Sequence, residues 1–286
     1  PGIFGSFFGP DPLSLLSVVI LTSLGTWGLP QMVQKFYAID NEDSIKKGTI
    51  ISTIFALVVS GGCYFLGGFG RLFSDKIDIA ANGYDSIIPT MLENLHPLLI
   101  ALVVILVLSA SMSTLSSLVI ASSSTLTIDL IKDNIVKEMS DKKQVFCIRV
   151  LIVIFIAISA IIAIIQYKSA VTFIAQLMGI SWGALAGSFL APFLYSLYWK
   201  KTTKAACWTS FIFGCIIMVL NLVAGSHFPT LLQSPINCGA FAMLAGLIIV
   251  PVVSLFTKKP DTALIENTFA CYDKTNTVTQ KTALGK

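Results

Sequence analysis

The sequence predicts an all-α membrane protein with seven transmembrane helices, and three observations support this fold class. The chain of 286 residues is 55% hydrophobic and only 12% charged, whereas soluble domains carry about 25% charged residues. Its mean hydropathy is +0.83. The apolar residues form blocks, and several blocks reach the roughly 20 residues that one helix needs to cross a bilayer. A water-soluble enzyme, a nucleic-acid-binding protein and a disordered regulator are therefore poor fits.

Turn residues and charged residues separate the apolar blocks into seven segments. Barrel strands need only about 10 residues of alternating polarity, and in lipid only helices pair every backbone amide within such a segment. We therefore expect helices at residues 13–39, 49–69, 97–131, 145–166, 170–199, 205–224 and 236–256. A further short helix is expected at residues 84–95. We assign residues 1–256 to one multi-span domain and the polar residues 257–286 to a disordered cytoplasmic tail.

Basic residues are unevenly distributed between successive loops. Of the 19 Lys and Arg residues, all except Arg71, Lys76 and Lys168 fall on one side when the loops alternate. The positive-inside rule places that side in the cytoplasm. The sequence therefore predicts a multi-pass plasma-membrane protein with its N-terminus outside and its C-terminus in the cytoplasm.

The chain begins with Pro1, and no basic segment with a cleavage site follows it. A secretory signal peptide normally shows both features. We expect no signal peptide, and we expect the chain to be the downstream part of a longer protein.

The third segment is unusually rich in hydroxyl groups, since more than half of residues 109–125 are Ser or Thr. At about 100° per residue, Ala110, Ser113, Thr114 and Ser117 lie on one helix face. Neutral oxygens of this kind suit a hard monovalent cation. They are equally typical of close helix packing, in which each hydroxyl bonds back to its own helix. From the spacing alone, both interpretations remain open.

The first segment contains a helix-breaking pattern, with Gly25, Gly28 and Pro30 following the polar residue Thr22. Pro30 lacks an amide donor and disfavours helical backbone at the preceding residue. The pattern predicts either a simple kink or a discontinuous helix whose free backbone groups bind a substrate. In the fifth segment, the stripe Gly179, Gly183 and Gly187 predicts close helix packing, with movement of this helix as a gate as the alternative.

No Asp, Glu, Lys, Arg or His lies deep within the seven segments, and the sequence shows no nucleophile–base pair and no metal-ligand cluster. Intramembrane ionisable residues are typical of proton relays. We therefore expect neither a proton pump nor an enzyme.

Two motifs resemble one known family. Residues 109–129, SASMSTLSSLVIASSSTLTID, resemble the sodium-site helix of the sodium:solute symporter family, which includes sodium/proline and sodium/pantothenate symporters. Residues 25–38, GTWGLPQMVQKFYA, resemble its discontinuous helix. The motifs occur in the family's order, and the resemblance covers residues 12–256.

The resemblance implies a fold of five plus five helices in inverted repeats. The first five segments would then form the second repeat, core helices 6–10, and the last two segments would be peripheral helices. The first repeat, absent from this chain, would be a partner from the same protein. The implied sodium ligands are the carbonyl of Ala110 and the hydroxyls of Ser113 and Thr114.

The implied substrate contacts are Thr22, Thr26 and the broken backbone near Pro30. Proline transporters of the family are similar to this chain but carry aromatic residues at the positions of Thr22 and Thr26, which argues against proline. The implied activity is sodium-coupled uptake of a small organic solute, of the amino acid, carboxylate or vitamin class. The alternatives are a solute-sensing membrane module without transport and an inactive fragment of the symporter.

Overall fold

The computed structural model describes residues 11–33, 39, 42–76, 83–136, 138–169 and 174–273. Every regular element in these residues is helical. The α-helices are α1 (Pro12–Ser23), α2 (Pro30–Val33), α3 (Glu42–Gly68), α4 (Ile87–Leu92), α5 (Pro97–Thr125), α6 (Asp141–Ser169), α7 (Ile174–Tyr198), α8 (Lys204–Ala224), α9 (Thr230–Gln233), α10 (Pro235–Phe256) and α11 (Thr262–Phe269). Shorter 3-10 segments occupy Gly25–Gly28, Phe69–Lys76, Tyr84–Ser86, Gly225–His227 and Ala270–Asp273, and Leu126–Ile135 continues α5 as a π-helix.

In the described part of the chain, six helices are long and apolar enough to cross a membrane. They are Asp43–Phe73, Pro97–Ile135, Asp141–Ile165, Gln176–Tyr198, Lys204–His227 and Pro235–Phe256. By length and composition these six helices coincide with six of the seven predicted spans. The remaining segment, residues 13–39, is interrupted, and its longest piece, α1, has 12 residues, fewer than the roughly 20 that a spanning helix needs. Residues 34–38 of this segment lie outside the described residues. The short helix predicted at residues 84–95 is confirmed by the 3-10 turn Tyr84–Ser86 and by α4.

The chain divides into two compact units. Unit 1 comprises Pro1–Val58 and Ile174–Lys286, and unit 2 comprises Val59–Phe173. In unit 2, α5 packs against α6, and the buried side chains of α5 and its π-helical extension are Val119, Ser123 and Thr127.

Helices α7, α8 and α10 form the core of unit 1, and their backbones approach closely at glycines. A Cβ on Gly183 would lie 2.7 Å from the Cα of Gly239, and one on Gly214 would lie 2.6 Å from the carbonyl carbon of Gly187. In lipid no hydrophobic effect drives helices together, so van der Waals packing takes its place. Small residues let two helix backbones come close enough for this packing. The packing interpretation of the glycine stripe in α7 is therefore confirmed.

A proline in α10 leaves a backbone carbonyl that a neighbouring helix satisfies. Pro251 lies inside α10 and has no amide hydrogen to donate to the carbonyl four residues earlier, that of Leu247. The hydroxyl of Tyr195 in α7 donates to this carbonyl at 2.9 Å. Tyr195 and Leu247 also pack against the buried cluster of Ala191, Ala206 and Val250.

We expect Tyr195→Phe to destabilise the protein by about 1 kcal/mol, because the Leu247 carbonyl loses its donor in a non-aqueous environment. In a Pro251→Ala background the amide of residue 251 can bond to that carbonyl, so the same change should then cost much less. Unfolding of the four proteins in detergent measures this coupling. Equal losses in the two backgrounds would contradict the role assigned to Tyr195.

Part of the polar segment 257–286 is helical, since α11 and the 3-10 segment Ala270–Asp273 lie within it. Asp261 begins α11 by accepting a hydrogen bond from the Ala263 amide at 3.1 Å. The hydroxyl of Tyr272 donates to the carbonyl of Leu197 at 2.9 Å. This hydrogen bond joins the polar segment to the end of α7. The segment itself shows no periodicity that would predict the contact. Residues 274–286 lie outside the described residues.

Candidate functional site

The predicted discontinuity in the first segment is confirmed. Helix α1 ends at Ser23, a 3-10 turn occupies Gly25–Gly28, and α2 begins at Pro30. Between them, Leu29 has an extended backbone with φ −93° and ψ 111°. This is the conformation that a following proline favours. The chain therefore changes its hydrogen-bonding pattern twice within one predicted span.

The break is buried against α7. Gly25, Gly28 and Leu29 are buried, and a Cβ on Gly28 would lie 2.9 Å from the Cα of Ala186 and from the Cβ of Leu190. Irregular backbone at membrane depth is tolerated where protein or a cavity surrounds it. Contact with α7 supplies this environment on one side of the break.

Two of the predicted substrate residues are threonines with hydroxyl groups already engaged as donors. The Thr22 hydroxyl donates to the Val18 carbonyl at 2.8 Å, and the Thr26 hydroxyl donates to the Ser23 carbonyl at 2.9 Å. A hydroxyl that has used its hydrogen still offers lone pairs. In this arrangement Thr22 and Thr26 can accept hydrogen bonds from a ligand, and Pro30 begins the next helix beside them.

The predicted sodium residues lie near the middle of α5. The Thr114 hydroxyl donates to the Ala110 carbonyl at 3.1 Å, and the Ser117 hydroxyl donates to the Thr114 carbonyl at 2.8 Å. These back-bonds are the ones that a packing interpretation predicts, but they leave lone pairs on each oxygen. Hard cations such as Ca²⁺ bind oxygens at about 2.3–2.6 Å, so one ion can contact two oxygens 3.1 Å apart.

Residues 104–118 of α5 are exposed on every side of the helix, and the hydroxyl face of Ala110, Ser113, Thr114 and Ser117 lies within this exposed stretch. At about 100° per residue, the buried residues Val119 and Ser123 lie roughly on the opposite side of the helix. The face that carries the candidate ligands is therefore not the face that packs within unit 2. The candidate substrate residues lie in unit 1, and the candidate sodium residues lie in unit 2.

Two buried hydroxyls in the same helix were not singled out by the sequence. The side-chain oxygens of Ser123 and Thr127 are buried and have no hydrogen-bond partner within the described residues. Thr127 lies in the π-helix Leu126–Ile135, a conformation that occurs frequently at functional sites. Their four-residue spacing, which places them on one helix face, was visible in the sequence, but their burial and the π-helical backbone at Thr127 were not.

Comparison with known proteins identifies the family. The model of the sodium:solute symporter family matches residues 8–214, which include the break, the hydroxyl face of α5 and most of α8. The chain belongs to the sodium:solute symporter family. The resemblance of the two sequence motifs to this family is therefore confirmed.

Relatives of this family member include named transporters. It is 26% identical over 261 residues to the osmoregulated proline transporter OpuE of Bacillus subtilis, covering 91% of this chain and 51% of that protein. It is 27% identical to the high-affinity proline transporter PutP of the same organism, covering 93% and 54%, and 28% identical to a sodium/proline symporter of Staphylococcus aureus, covering 87% and 49%. The chain thus spans about half the length of these relatives. No solved structure matches it significantly.

Proposed function

We propose that the protein containing this chain is a sodium-coupled symporter that carries a small organic solute across the plasma membrane. Family membership and relatives named as proline transporters and sodium/proline symporters support this proposal. The chain supplies the second of two inverted repeats and two peripheral helices, and an upstream part supplies the first repeat. The distribution of Lys and Arg supports a cytoplasmic C-terminus.

The observation that carries the proposal is the exposed hydroxyl face of α5. Polar groups in a membrane helix normally face protein or a water-filled cavity, so this face suits contact with the upstream part. The Ala110 carbonyl and the hydroxyls of Ser113 and Thr114 would supply neutral oxygen ligands to a sodium ion. Further ligands would come from the first repeat.

The break between α1 and α2 is the proposed substrate region. Its backbone changes direction beside α7, and the hydroxyls of Thr22 and Thr26, which donate to carbonyls of their own segment, keep lone pairs that could accept hydrogen bonds from a solute. Acceptors of this kind suit an ammonium or hydroxyl group on the solute. An amino acid therefore fits this side of the site well, and carboxylates and vitamins with donor groups remain within the class.

Coupling requires that sodium bind one conformation more tightly than the other, since a ligand shifts an equilibrium only by its differential affinity. The α5 ligands would complete the site in the outward-open state and separate from their partners in the inward-open state. Entry of one positive charge at a membrane potential of −100 mV contributes about 2.3 kcal/mol. A sodium concentration gradient adds to this driving force.

Uptake by the full-length protein tests the proposal. Proteoliposomes with an imposed sodium gradient would be offered labelled proline, other amino acids, monocarboxylates and vitamins, with choline replacing sodium in the control. We expect accumulation of one solute class only with inward-directed sodium. Binding of a solute without accumulation would favour the sensing module instead, and the absence of both would favour an inactive protein.

A further inference from the structure

A groove lies between α7 and α8 in unit 1, and none of the residues that line it belongs to the break. It has a volume of about 380 Å³ and apolar walls, and it is lined by Ser188, Phe189, Pro192, Cys207, Trp208 and Phe211. The Phe211 ring meets Phe189 and Trp208 edge to face, with ring centres 5.2 and 5.7 Å apart. Trp208 is nevertheless 54% exposed, so the groove is open at this side.

One end of the groove carries exposed lysines. Lys204 is the first residue of α8, and Trp208 and Phe211 follow it at spacings of four and seven, which place all three on one helix face. Seven residues of helix correspond to about 10 Å, or two turns, so Lys204 lies about two turns from Phe211 toward the start of α8. Lys200 and Lys201 are exposed in the turn that joins the two helices.

The end of α10 brings further basic residues to this place. The hydroxyls of Thr203 and Thr257 are 2.6 Å apart, so the two lysines that follow Thr257 lie near the turn between α7 and α8. Five lysines and three carboxylates therefore occur in the polar segments at this end: Lys200, Lys201, Lys204, Lys258, Lys259, Asp261, Glu266 and Asp273. The net charge of these residues is therefore positive at the end of the groove that meets the turn between α7 and α8.

We propose that the groove binds an anionic phospholipid, with one acyl chain along Phe189, Trp208 and Phe211 and the phosphate at Lys201 and Lys204. The apolar walls suit an acyl chain, and tryptophan is enriched at the depth of lipid headgroups. Lysine stems lie along apolar surface while their ammonium groups reach the headgroup layer. The positive charge selects an anionic headgroup over a zwitterionic one. The Lys200 ammonium lies 5.4 Å from the centre of the Phe269 ring. We therefore assign the headgroup to Lys201 and to Lys204, the first residue of α8.

Quenching of Trp208 fluorescence tests this site in the full-length protein reconstituted into vesicles. Phosphatidylglycerol with brominated acyl chains would be titrated into vesicles of phosphatidylcholine. In a parallel titration, the phosphatidylcholine would carry the bromine and the phosphatidylglycerol would be unlabelled. The signal of Trp208 is the difference between the unmodified protein and Trp208→Phe. We expect brominated phosphatidylglycerol to quench Trp208 at a much lower mole fraction than brominated phosphatidylcholine.

The matched variants are Lys201→Gln/Lys204→Gln and, as a control on another cytoplasmic segment, Lys142→Gln/Lys143→Gln. Each lysine near an anionic surface contributes roughly fivefold in affinity, so the first pair should lower the preference for phosphatidylglycerol by about 25-fold and the control pair should leave it unchanged. Equal quenching by both lipids would show contact with bulk lipid only. No quenching by either lipid would show that protein covers the groove. Either result would overturn the proposal.

Discussion

Replacing Thr114 with Ala should raise the sodium concentration needed for half-maximal uptake by the full-length protein by about 10- to 100-fold. The change removes an oxygen that lies 3.1 Å from the Ala110 carbonyl, and a hydrogen bond or ligand contact to a charged group is worth about 1.5–3 kcal/mol. Ser113→Ala should act in the same direction. Uptake at saturating solute, measured across a range of sodium concentrations, gives the apparent affinity.

Ser124→Ala is the matched control for these variants. Ser124 lies 11 residues beyond Ser113, which at about 100° per residue places it on nearly the same side of α5 three turns away. Its hydroxyl makes the same kind of back-bond as that of Thr114, to the Ile120 carbonyl at 2.7 Å, but it lies about 16 Å along the helix from Ser113, too far to share one ion. Its loss should therefore leave the sodium dependence unchanged. If Ser113→Ala and Thr114→Ala also leave it unchanged, the hydroxyl face serves packing and the ion site lies elsewhere.

Features that depend on neighbouring residues could be predicted from the sequence. The break follows from Pro30 and the glycines before it, because a missing amide and a disfavoured helical conformation act within one turn. The glycine stripe of α7 predicted close packing for a similar local reason. The hydroxyl face of α5 was visible as a spacing, although a spacing alone does not show which oxygens are turned toward an ion.

Features that depend on residues distant in sequence could not be predicted in the same way. The ordered part of the tail depends on the Tyr272 contact with Leu197, 75 residues away. The partner of the Leu247 carbonyl is Tyr195, 52 residues away. No periodicity within α11 or α10 specifies either contact. The π-helical backbone around Thr127 likewise cannot be inferred from a pattern with a fixed period of 3.6 residues.

A close backbone contact between α7 and α8 predicts a large loss of stability from a single methyl group. A Cβ on Gly214 would lie 2.6 Å from the carbonyl carbon and oxygen of Gly187 and from the amide nitrogen of Ser188. All three are backbone atoms, so no side-chain rotation can relieve the contact and α8 must move away from α7. We expect Gly214→Ala to destabilise the protein by about 3 kcal/mol, the upper part of the usual range for overpacking.

Gly25→Ala provides the comparison, because its Cβ would make ordinary contacts of 3.7 Å with Ala186 and Met243. Unfolding in detergent and the amount of protein in the membrane would be measured for both variants. Alanine is a better helix former than glycine by about 1 kcal/mol. A Gly214→Ala protein that is more stable than the unmodified protein would therefore contradict the close contact between α7 and α8. A loss of stability confined to Gly214→Ala therefore has one explanation, the backbone contact between α7 and α8.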